Sequence, residues 1–291
     1  MTTLVLAVLA LALAGPVPAV LVRWTALRRT PAAAVVLWQA IAAAAVLAAL
    51  GAGLSLVTQH TWGDGWREDA GPFGYAVAGT ALLLTLVVAG RLLLSGHRVG
   101  TELRTLRRRH RRQLDLLAER RDGVQVLEHD VPVAYCVPGL AGSRVVVSAG
   151  ALGRLDRDEY RAVLAHERAH LAARHDLVLE AFSVLHRAFP RWVSSSTVLG
   201  EVKLLVEVLA DRAAVHGRDP RPLARALVEL AAGRAPAAAM GAGGAGLVER
   251  VELLADSEPH RVQGVGVLCA AVAVLALPTA FVVAPWLSSL G

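Results

Sequence analysis

The chain has 291 residues, of which 55% are hydrophobic, and a formal net charge of +6 at pH 7. A composition this apolar, with a mean hydropathy of +0.50, excludes an ordinary soluble enzyme of this size and indicates a membrane protein. Two cysteines exclude a disulfide framework, and the basic charge comes without any zinc-finger or RNA-binding signature, so we expect no direct contact with nucleic acid.

Four apolar stretches divide the sequence, at residues 4–21, 32–57, 73–94 and 264–287. Each is long enough to cross a hydrocarbon core of ~30 Å, which takes ~20 helical residues. In lipid, a helix satisfies every backbone polar group of a single segment, so we predict four transmembrane helices. For the first stretch, a cleaved signal peptide ending near Ala19 is the alternative interpretation.

The positions of the arginines predict the orientation of these helices, because basic loops stay on the cytoplasmic side. The loop after the first stretch contains Arg23, Arg28 and Arg29 and no acid, whereas the loop after the second has only Arg67 against three acids. The densest basic run follows the third stretch. We therefore expect a multi-pass protein of the cell membrane, with extracellular N- and C-termini and a cytoplasmic segment between the third and fourth helices.

Residues 1–95 thus hold three predicted transmembrane helices, and residues 96–122 form a basic linker. In this linker, arginines are interspersed with leucines at helical spacing: Leu103, Leu106, Leu114 and Leu117. The pattern indicates an amphipathic helix on the inner leaflet, where it would contact membrane lipids. A solvated charged helix that only connects the third span to the next domain is the alternative.

Residues 123–262 are predicted to form a cytoplasmic domain. It begins with two β-branched runs, VQVLEHDVPVAYCV and SRVVVSAGAL, which are separated by PGLAG and indicate a short antiparallel sheet. Helical periodicity follows, first from an N-cap at Asp156 or Asp158 up to Pro190 and then in three further helices. Residues 263–291 form the fourth span and a short extracellular tail. The predicted fold is α+β, with a mostly helical domain inserted between the third and fourth of four transmembrane helices.

The first helix of this domain contains the sequence HERAH. His166 and His170 are four residues apart, so both imidazoles lie on one helix face and can reach a single zinc ion at ~2.0–2.1 Å. Glu167, ~100° round the helix from His166, is placed to take a proton from a zinc-bound water, whose pKa the metal lowers towards ~7. The motif therefore predicts the ligands and the general base of a zinc enzyme that hydrolyses peptide bonds.

A catalytic zinc site needs a third protein ligand, and the rest of the same predicted helix does not supply it. His175 is rotated ~140° from the metal face, and Glu180 lies ~15 Å along the axis from His170. Asp176 would ligate only if the helix ended near Ala173, but no glycine stands there and we predict that the helix continues.

The next predicted helix, EVKLLVEVLADRAAV, offers a better candidate. Glu207 and Asp211 share a face, so Glu207 can complete a His₂Glu site for one catalytic Zn²⁺ while Asp211 accepts the N–H of a ligating imidazole. Glu201 lies ~240° round the helix from Glu207 and cannot face the same metal. We expect Glu201 at the surface of the domain.

The sequence VLAHERAHLAARHD, followed by EVLAD, resembles the paired motifs of two kinds of membrane gluzincin: the HtpX-type proteases and the BlaR/MecR-type antirepressor proteases. Three predicted spans before this region and one after it are similar to the BlaR/MecR arrangement, whereas HtpX-type enzymes place two on each side. The resemblance implies five site residues, namely the zinc ligands His166, His170 and Glu207, the general base Glu167 and the orienting Asp211. Arg250 matches a family arginine to which we assign no role from the sequence.

By the same resemblance, the chain is a membrane-embedded zinc endopeptidase that cleaves a cytosolic protein, such as a winged-helix repressor, in a signalling pathway. Its substrate would add as a strand to an exposed sheet edge, formed by either VAYCV or RVVVS. Two other functions stay open. One is HtpX-like quality control of membrane proteins, and the other is a non-catalytic role in which zinc only stabilises the domain.

BlaR/MecR proteins carry an extracellular penicillin-binding sensor after the fourth span, whereas this sequence ends at Gly291. Its single lysine, Lys203, also excludes the Ser-x-x-Lys motif of that sensor, because residue 200 is glycine. We therefore expect the signal to come from a separate sensor partner, from the membrane, or from the short loop that contains Trp62 and Trp66.

Overall fold

The computed structural model describes residues 2–61, 71–139, 142–189, 196–234, 240–256 and 260–288. The predicted loop around Trp62 and Trp66 and the centre of the predicted PGLAG turn lie outside these ranges. The chain folds into two compact units. The span unit consists of Met1–His97, Ser183–Glu201 and His260–Gly291, and the motif unit consists of Arg98–Phe182 and Val202–Pro259. The domain boundaries that we derived from the sequence stay predictions.

The described residues are mostly helical, with one short sheet and a 3₁₀ helix at Thr25–Arg29. The α-helices are α1 (Thr2–Ala14), α2 (Pro16–Leu21), α3 (Pro31–Thr61), α4 (Pro72–Leu117), α5 (Ala149–Leu152), α6 (Arg157–Ala172), α7 (His175–Ala188), α8 (Ser196–Ala214), α9 (Arg221–Arg234), α10 (Met240–Ala255) and α11 (Arg261–Ser288). The strands are β1 (Ala118–Arg121), β2 (Val124–Leu127), β3 (Ala134–Val137) and β4 (Arg144–Ser148). This confirms the predicted mostly helical α+β class.

Four helical segments among the described residues are long and apolar enough to cross a membrane: Thr2–Leu21, Pro31–Thr58, Pro72–Leu117 and Arg261–Val283. They coincide with the four predicted spans and are consistent with a multi-pass membrane protein. The first segment is interrupted at Gly15, because Pro16 lacks the N–H that would continue α1 and instead begins α2. The orientation of the helices in the membrane stays a prediction.

Small residues bring the helices of the span unit close together. α3 packs against both α1 and α11. Leu6 of α1 forms a buried cluster with Ala48 and Ala52 of α3, and Val282 of α11 packs against it. A Cβ added at Gly51 would lie 2.7 Å from a methyl carbon of Val282. Glycine and alanine therefore permit the close approach that stabilises helix pairs in lipid, where the hydrophobic effect does not drive association.

Glu201, in the first half of α8, is buried within the span unit, so the prediction of a surface position is wrong. Arg28 donates two hydrogen bonds to it, from Nε to Oε1 at 2.9 Å and from Nη2 to Oε2 at 2.6 Å. This paired geometry offsets the cost of burying the carboxylate. Nearby, Gln263 Nε2 donates to the carbonyl oxygen of Ala26 at 2.8 Å. The 3₁₀ helix is thus tied to both α8 and α11.

Within the described residues, the motif unit contains one four-stranded sheet in the order β1-β2-β4-β3. β1 is antiparallel to β2 and β3 is antiparallel to β4, but β2 and β4 are parallel. β3 and β4, which come from the two predicted runs, are antiparallel as expected, but the sheet as a whole is mixed, so the prediction of an antiparallel sheet is wrong for β2 and β4. The chain reverses twice between β2 and β4, once into β3 and once into β4, so these two strands run in the same direction.

Strand β1 lies inside the segment that we predicted as a linker helix. α4 ends at Leu117, and the chain then turns back at Asp122 and Gly123, whose φ angles are 49° and 80°. Positive φ at both central residues is the type I′ geometry that Asp-Gly favours in two-residue hairpins. The sequence RRDGV is thus a hairpin signal, and the helix ends at Leu117, the last leucine of the predicted pattern.

Side chains alternate between the two faces of the sheet along each strand, and helices pack against both faces. One face packs against α6 and α9 through Ala134, Val145, Val147, Val163, Leu164 and Ala226. The other face packs against the end of α4 through Leu114, Val137 and Val146. Strand β4 is central, whereas β3 lies at the edge of the sheet and contacts α6, the helix that carries the HERAH motif.

Candidate metal centre

A capping box at the start of α6 fixes the position of the HERAH motif. Asp156 is the N-cap: its side chain accepts a hydrogen bond from the backbone N–H of Glu159, whose Oε2 accepts one from the N–H of Asp156. Arg225 of α9 donates to Glu159 Oε1 at 2.9 Å. With the helix anchored in this way, His166 and Glu167 are buried.

The two histidines of the motif converge on Glu207 of α8. Each of His166, His170 and Glu207 offers one ligand atom, and these atoms lie within 4.8 Å of one another. The Nε2 atoms of the histidines are 3.1 Å apart, and each lies 3.5 Å from an oxygen of Glu207. Ligands of a tetrahedral zinc with bonds of ~2.0–2.1 Å are about 3.3 Å apart, so this donor set fits one zinc ion.

Asp211 and Arg250 support this cluster from behind. Asp211 is 1% exposed, and its Oδ1 lies 2.9 Å from Nδ1 of His166. Arg250 of α10 donates from Nη2 to Oδ1 at 2.7 Å and from Nε to Oδ2 at 2.8 Å, while its Nη1 lies 3.1 Å from Oε2 of Glu207. The guanidinium of Arg250 therefore bridges Glu207 and Asp211. An arginine in a mainly apolar helix is the feature of the sequence that could have indicated this contact.

The helix with the HERAH motif does not continue to residue 190, so that prediction is wrong. α6 ends at Ala172, Arg174 takes the left-handed conformation with φ of 50°, and α7 begins at His175. This break turns His175 back towards the site, where its Nδ1 lies 3.0 Å from Nδ1 of His170. The prediction that His175 points away from the metal face is also wrong, because it assumed an unbroken helix.

Asp176 and Glu180, the other two acids considered as third ligands, lie against an arginine of α4. Arg107 Nη1 is 3.3 Å from Oδ2 of Asp176 and 3.6 Å from Oε2 of Glu180. Asp176 also accepts a hydrogen bond from Nε of Arg174 at 3.2 Å. Among the described residues, neither acid joins the cluster of ligand atoms. Asp176 is therefore not a ligand because it is engaged in ion pairs, and not because the helix continues, as we assumed from the sequence.

The model of the family described as Peptidase family M48 matches residues 101–254, more than half of the chain. The chain belongs to peptidase family M48. This M48 peptidase is therefore a zinc-dependent metalloendopeptidase, a hydrolase that acts on peptide bonds. No curated protein and no solved structure shows significant similarity to it.

In this M48 peptidase, Glu167 lies beside a cysteine of the edge strand. Burial raises the pKa of the Cys136 thiol to about 12, and the neighbouring Glu167 carboxylate raises it as well through its charge and a hydrogen bond. The thiol is therefore protonated at neutral pH. It marks the point at which β3 approaches the carboxylate of the HERAH motif, a contact that the sequence alone does not indicate.

The charges around the cluster are coupled. Burial raises the pKa of Glu207 and of Asp211. The two nearby histidines and Arg250 outweigh this effect at Glu207, the hydrogen bonds of Arg250 and the nearby His166 outweigh it at Asp211, and both pKa values lie below their usual range. Burial lowers the pKa of His166, but these two carboxylates outweigh it and raise the pKa to about 9. Zinc takes neutral imidazole, so a zinc ion bound at this cluster would have to displace a proton.

Proposed function

We propose that this M48 peptidase holds one zinc ion with His166, His170 and Glu207 and uses Glu167 as the general base of peptide hydrolysis. The observation that carries the proposal is the convergence of two imidazole nitrogens and one carboxylate, with separations of 3.1 and 3.5 Å. Three protein ligands leave a position for water or substrate, as in catalytic zinc sites, whereas structural zinc usually has four. The donor set therefore favours catalysis over a purely structural metal.

The chemistry divides between the metal and the carboxylate. When bound, zinc lowers the pKa of water and polarises a carbonyl oxygen. Glu167 takes one proton from the attacking water and gives it to the departing amine nitrogen, so the carboxylate is regenerated in each turnover. Its buried position beside Cys136 limits its exchange with bulk solvent and keeps it close to the edge of the sheet.

The residues around the ligands serve to hold them. Asp211 lies at Nδ1 of His166, which directs the Nε2 lone pair of that ring towards Glu207. His175 takes the same place at Nδ1 of His170. Arg250 fixes Glu207 and Asp211 relative to each other and balances their two charges. We assign all three as positioning residues.

A substrate segment would join the sheet at β3. Of the two strands considered from the sequence, RVVVS corresponds to β4, which is paired on both sides, whereas VAYCV contains the edge strand β3. Strand addition needs an unpaired edge, so β3 is the better candidate of the two. Its Cys136 lies next to Glu167, which brings the edge to the catalytic carboxylate.

We further propose the BlaR/MecR-like role, with the motif region cytoplasmic, both termini extracellular and a cytosolic protein such as a winged-helix repressor as substrate. Three apolar helices begin before the matched region and one follows it, which supports this relative over the HtpX type. The family match supports peptide hydrolysis in either role.

A single substitution tests the catalytic proposal. In full-length protein purified with zinc, Glu167→Gln should lower peptide cleavage by about 10²-fold or more, because it removes the general base. Metal analysis should still find one zinc per chain, since Glu167 is not a ligand. Glu229→Gln, at an exposed position of α9, is the matched control and should cleave at the wild-type rate. Equal cleavage by wild type and Glu167→Gln would reject Glu167 as the general base.

The cellular role is tested by comparing the proteomes of cells that express wild type or Glu167→Gln. The antirepressor role predicts that one cytosolic DNA-binding protein accumulates with the variant. Accumulation of many membrane proteins, with no repressor among them, would instead support quality control of the HtpX type.

A further inference from the structure

A groove of about 570 Å³ lies between the edge strand β3 and the end of α4. Its helical wall includes Arg107, Arg109, His110 and Gln113, and its strand side includes Tyr135 and Cys136. No carboxylate is found among the described residues that line it. The groove thus runs along the sheet edge at which we propose that substrate binds, and α4 forms its second wall.

The backbone of β3 is oriented to pair with a chain in this groove. The N–H of Ser148 donates to the carbonyl oxygen of Val133, so the residues that face β4 are 133, 135 and 137. Because backbone groups alternate in an antiparallel pair, the N–H and carbonyl oxygen of Cys136 point to the outer edge. The side chain of the same residue contacts Glu167. A segment paired there would therefore reach the catalytic carboxylate.

The wall formed by α4 is positively charged. Arg107 faces Asp176 and Glu180 at 3.3 and 3.6 Å, so its charge is balanced from behind. Arg109 lines the groove and is exposed. The guanidinium of Arg111 lies so close to Gly139 that a Cβ added at this glycine would clash with it. Arg111 thus adds a second positive charge just beyond the end of β3.

The remaining polar groups of the wall are neutral or already paired. His110 Nε2 lies 2.8 Å from the hydroxyl of Tyr135, which joins α4 to β3 across the groove floor. Gln113 is exposed and carries no charge. The wall therefore presents the positive charge of Arg109 to whatever occupies the groove, and Arg111 adds a positive charge next to it.

We propose that this groove is a specificity site that selects extended substrate segments with acidic side chains at alternate positions. Successive side chains of an added strand point to opposite faces of the sheet, so every second one would meet the wall formed by α4. Glutamate and aspartate complement its arginines, whereas lysine would be repelled. This inference rests on the proposed function, because it takes β3 as the strand that pairs with substrate.

Binding of designed peptides tests the groove without relying on turnover. The probe is a fluorescent ten-residue peptide with glutamate at every second position, compared with matched peptides that carry glutamine or lysine there. Full-length Glu167→Gln protein in nanodiscs of uncharged lipid is titrated by fluorescence anisotropy. The glutamate peptide should bind about three- to tenfold more tightly than the glutamine peptide, which is the range expected of partly exposed ion pairs. The preference should shrink as salt rises.

Two charge reversals on α4 distinguish a local contact between the peptide and the groove from a general electrostatic attraction to the protein surface. Arg109→Glu should abolish or invert the preference for glutamate. Arg108→Glu makes the same charge change at a neighbouring exposed residue that is not among those lining the groove, and it should keep the preference. Equal binding of the three peptides, or equal effects of the two reversals, would overturn the inference.

Failure of the groove as a specificity site is distinguishable from failure of the proposed function. Cleavage that depends on Glu167 but shows no acidic preference would retain the peptidase proposal and reject the groove as a specificity site. Selective binding of the glutamate peptide, combined with equal cleavage by wild type and Glu167→Gln, would support the groove and reject the general base.

Discussion

Replacing Arg250 with glutamine tests how far the site depends on a residue from outside the two ligand helices. The substitution removes two hydrogen bonds to Asp211, of 2.7 and 2.8 Å, and the 3.1 Å contact with Glu207. Among the described side chains, the polar contact that Asp211, which is 1% exposed, then retains is Nδ1 of His166, at 2.9 Å. The substitution therefore leaves a buried carboxylate without its strongest partner.

The expected loss of stability follows from these contacts. Hydrogen bonds to charged groups contribute about 1.5–3 kcal/mol each, and breaking a buried ion pair costs about 3–5 kcal/mol. The side chain of Arg250 is 16% exposed, so water compensates part of the loss, and we expect about 3 kcal/mol in the free energy of unfolding. Zinc affinity should also fall about 10–100-fold, as for other residues that orient metal ligands.

The assay is denaturant unfolding of the zinc-loaded and chelator-treated protein, together with competition for zinc against a chelator. Arg225→Gln is the matched control, because that arginine also binds a carboxylate, at 2.9 Å, but its side chain is 60% exposed and its pair should contribute less than about 1 kcal/mol. When Arg250 is present, it holds the pKa of Asp211 below its usual value. The stability that the Asp211 carboxylate contributes is therefore lost as pH falls below about 4. The difference in stability between wild type and Arg250→Gln should shrink in the same pH range. Equal stability of Arg250→Gln and Arg225→Gln at pH 7 would refute this reasoning.

Three further outcomes follow from the same geometry. His175→Phe keeps the ring but removes the contact with His170, so zinc affinity in a chelator competition should fall about tenfold, while His129→Phe at an exposed position should change nothing. Because the pKa of His166 is raised to about 9, zinc binding near neutral pH displaces its proton, and the measured affinity should drop about tenfold for each pH unit from 8 to 7. Gly123→Ala, at a φ of 80°, should destabilise the β1-β2 hairpin by about 1 kcal/mol in denaturant unfolding, and an unchanged midpoint would contradict the type I′ assignment.

Features that depend on a short stretch of sequence could be predicted. Membrane-spanning helices follow from length and apolar content, and the four predicted segments coincide with four apolar helices. The spacing of His166 and His170, and that of Glu207 and Asp211, places each pair on one face of a helix whatever the rest of the chain does. The structure brings these four residues together and places Glu167 beside Cys136, while the roles of all five in catalysis stay predictions.

The features that depend on tertiary structure were not accessible from local patterns. Arg174 has no glycine-like freedom, yet it takes a left-handed conformation that ends α6 and turns His175 onto His170. Helix periodicity does not reveal such a break, because the surrounding packing determines whether one strained residue is tolerated. The same holds for Glu201, whose burial depends on an arginine 173 positions away.

The sequence by itself determined the helical spans and the positions of the candidate ligands on their helices, since each depends on residues within a few positions of one another. Only the tertiary structure decided that β2 and β4 are parallel, that β3 rather than β4 is the edge strand, and that Arg250 bridges Glu207 and Asp211. Strand order and buried ion pairs join residues that are distant in the chain, and their energies come from pairing and desolvation in the folded protein. The periodicity of one segment carries no information about either.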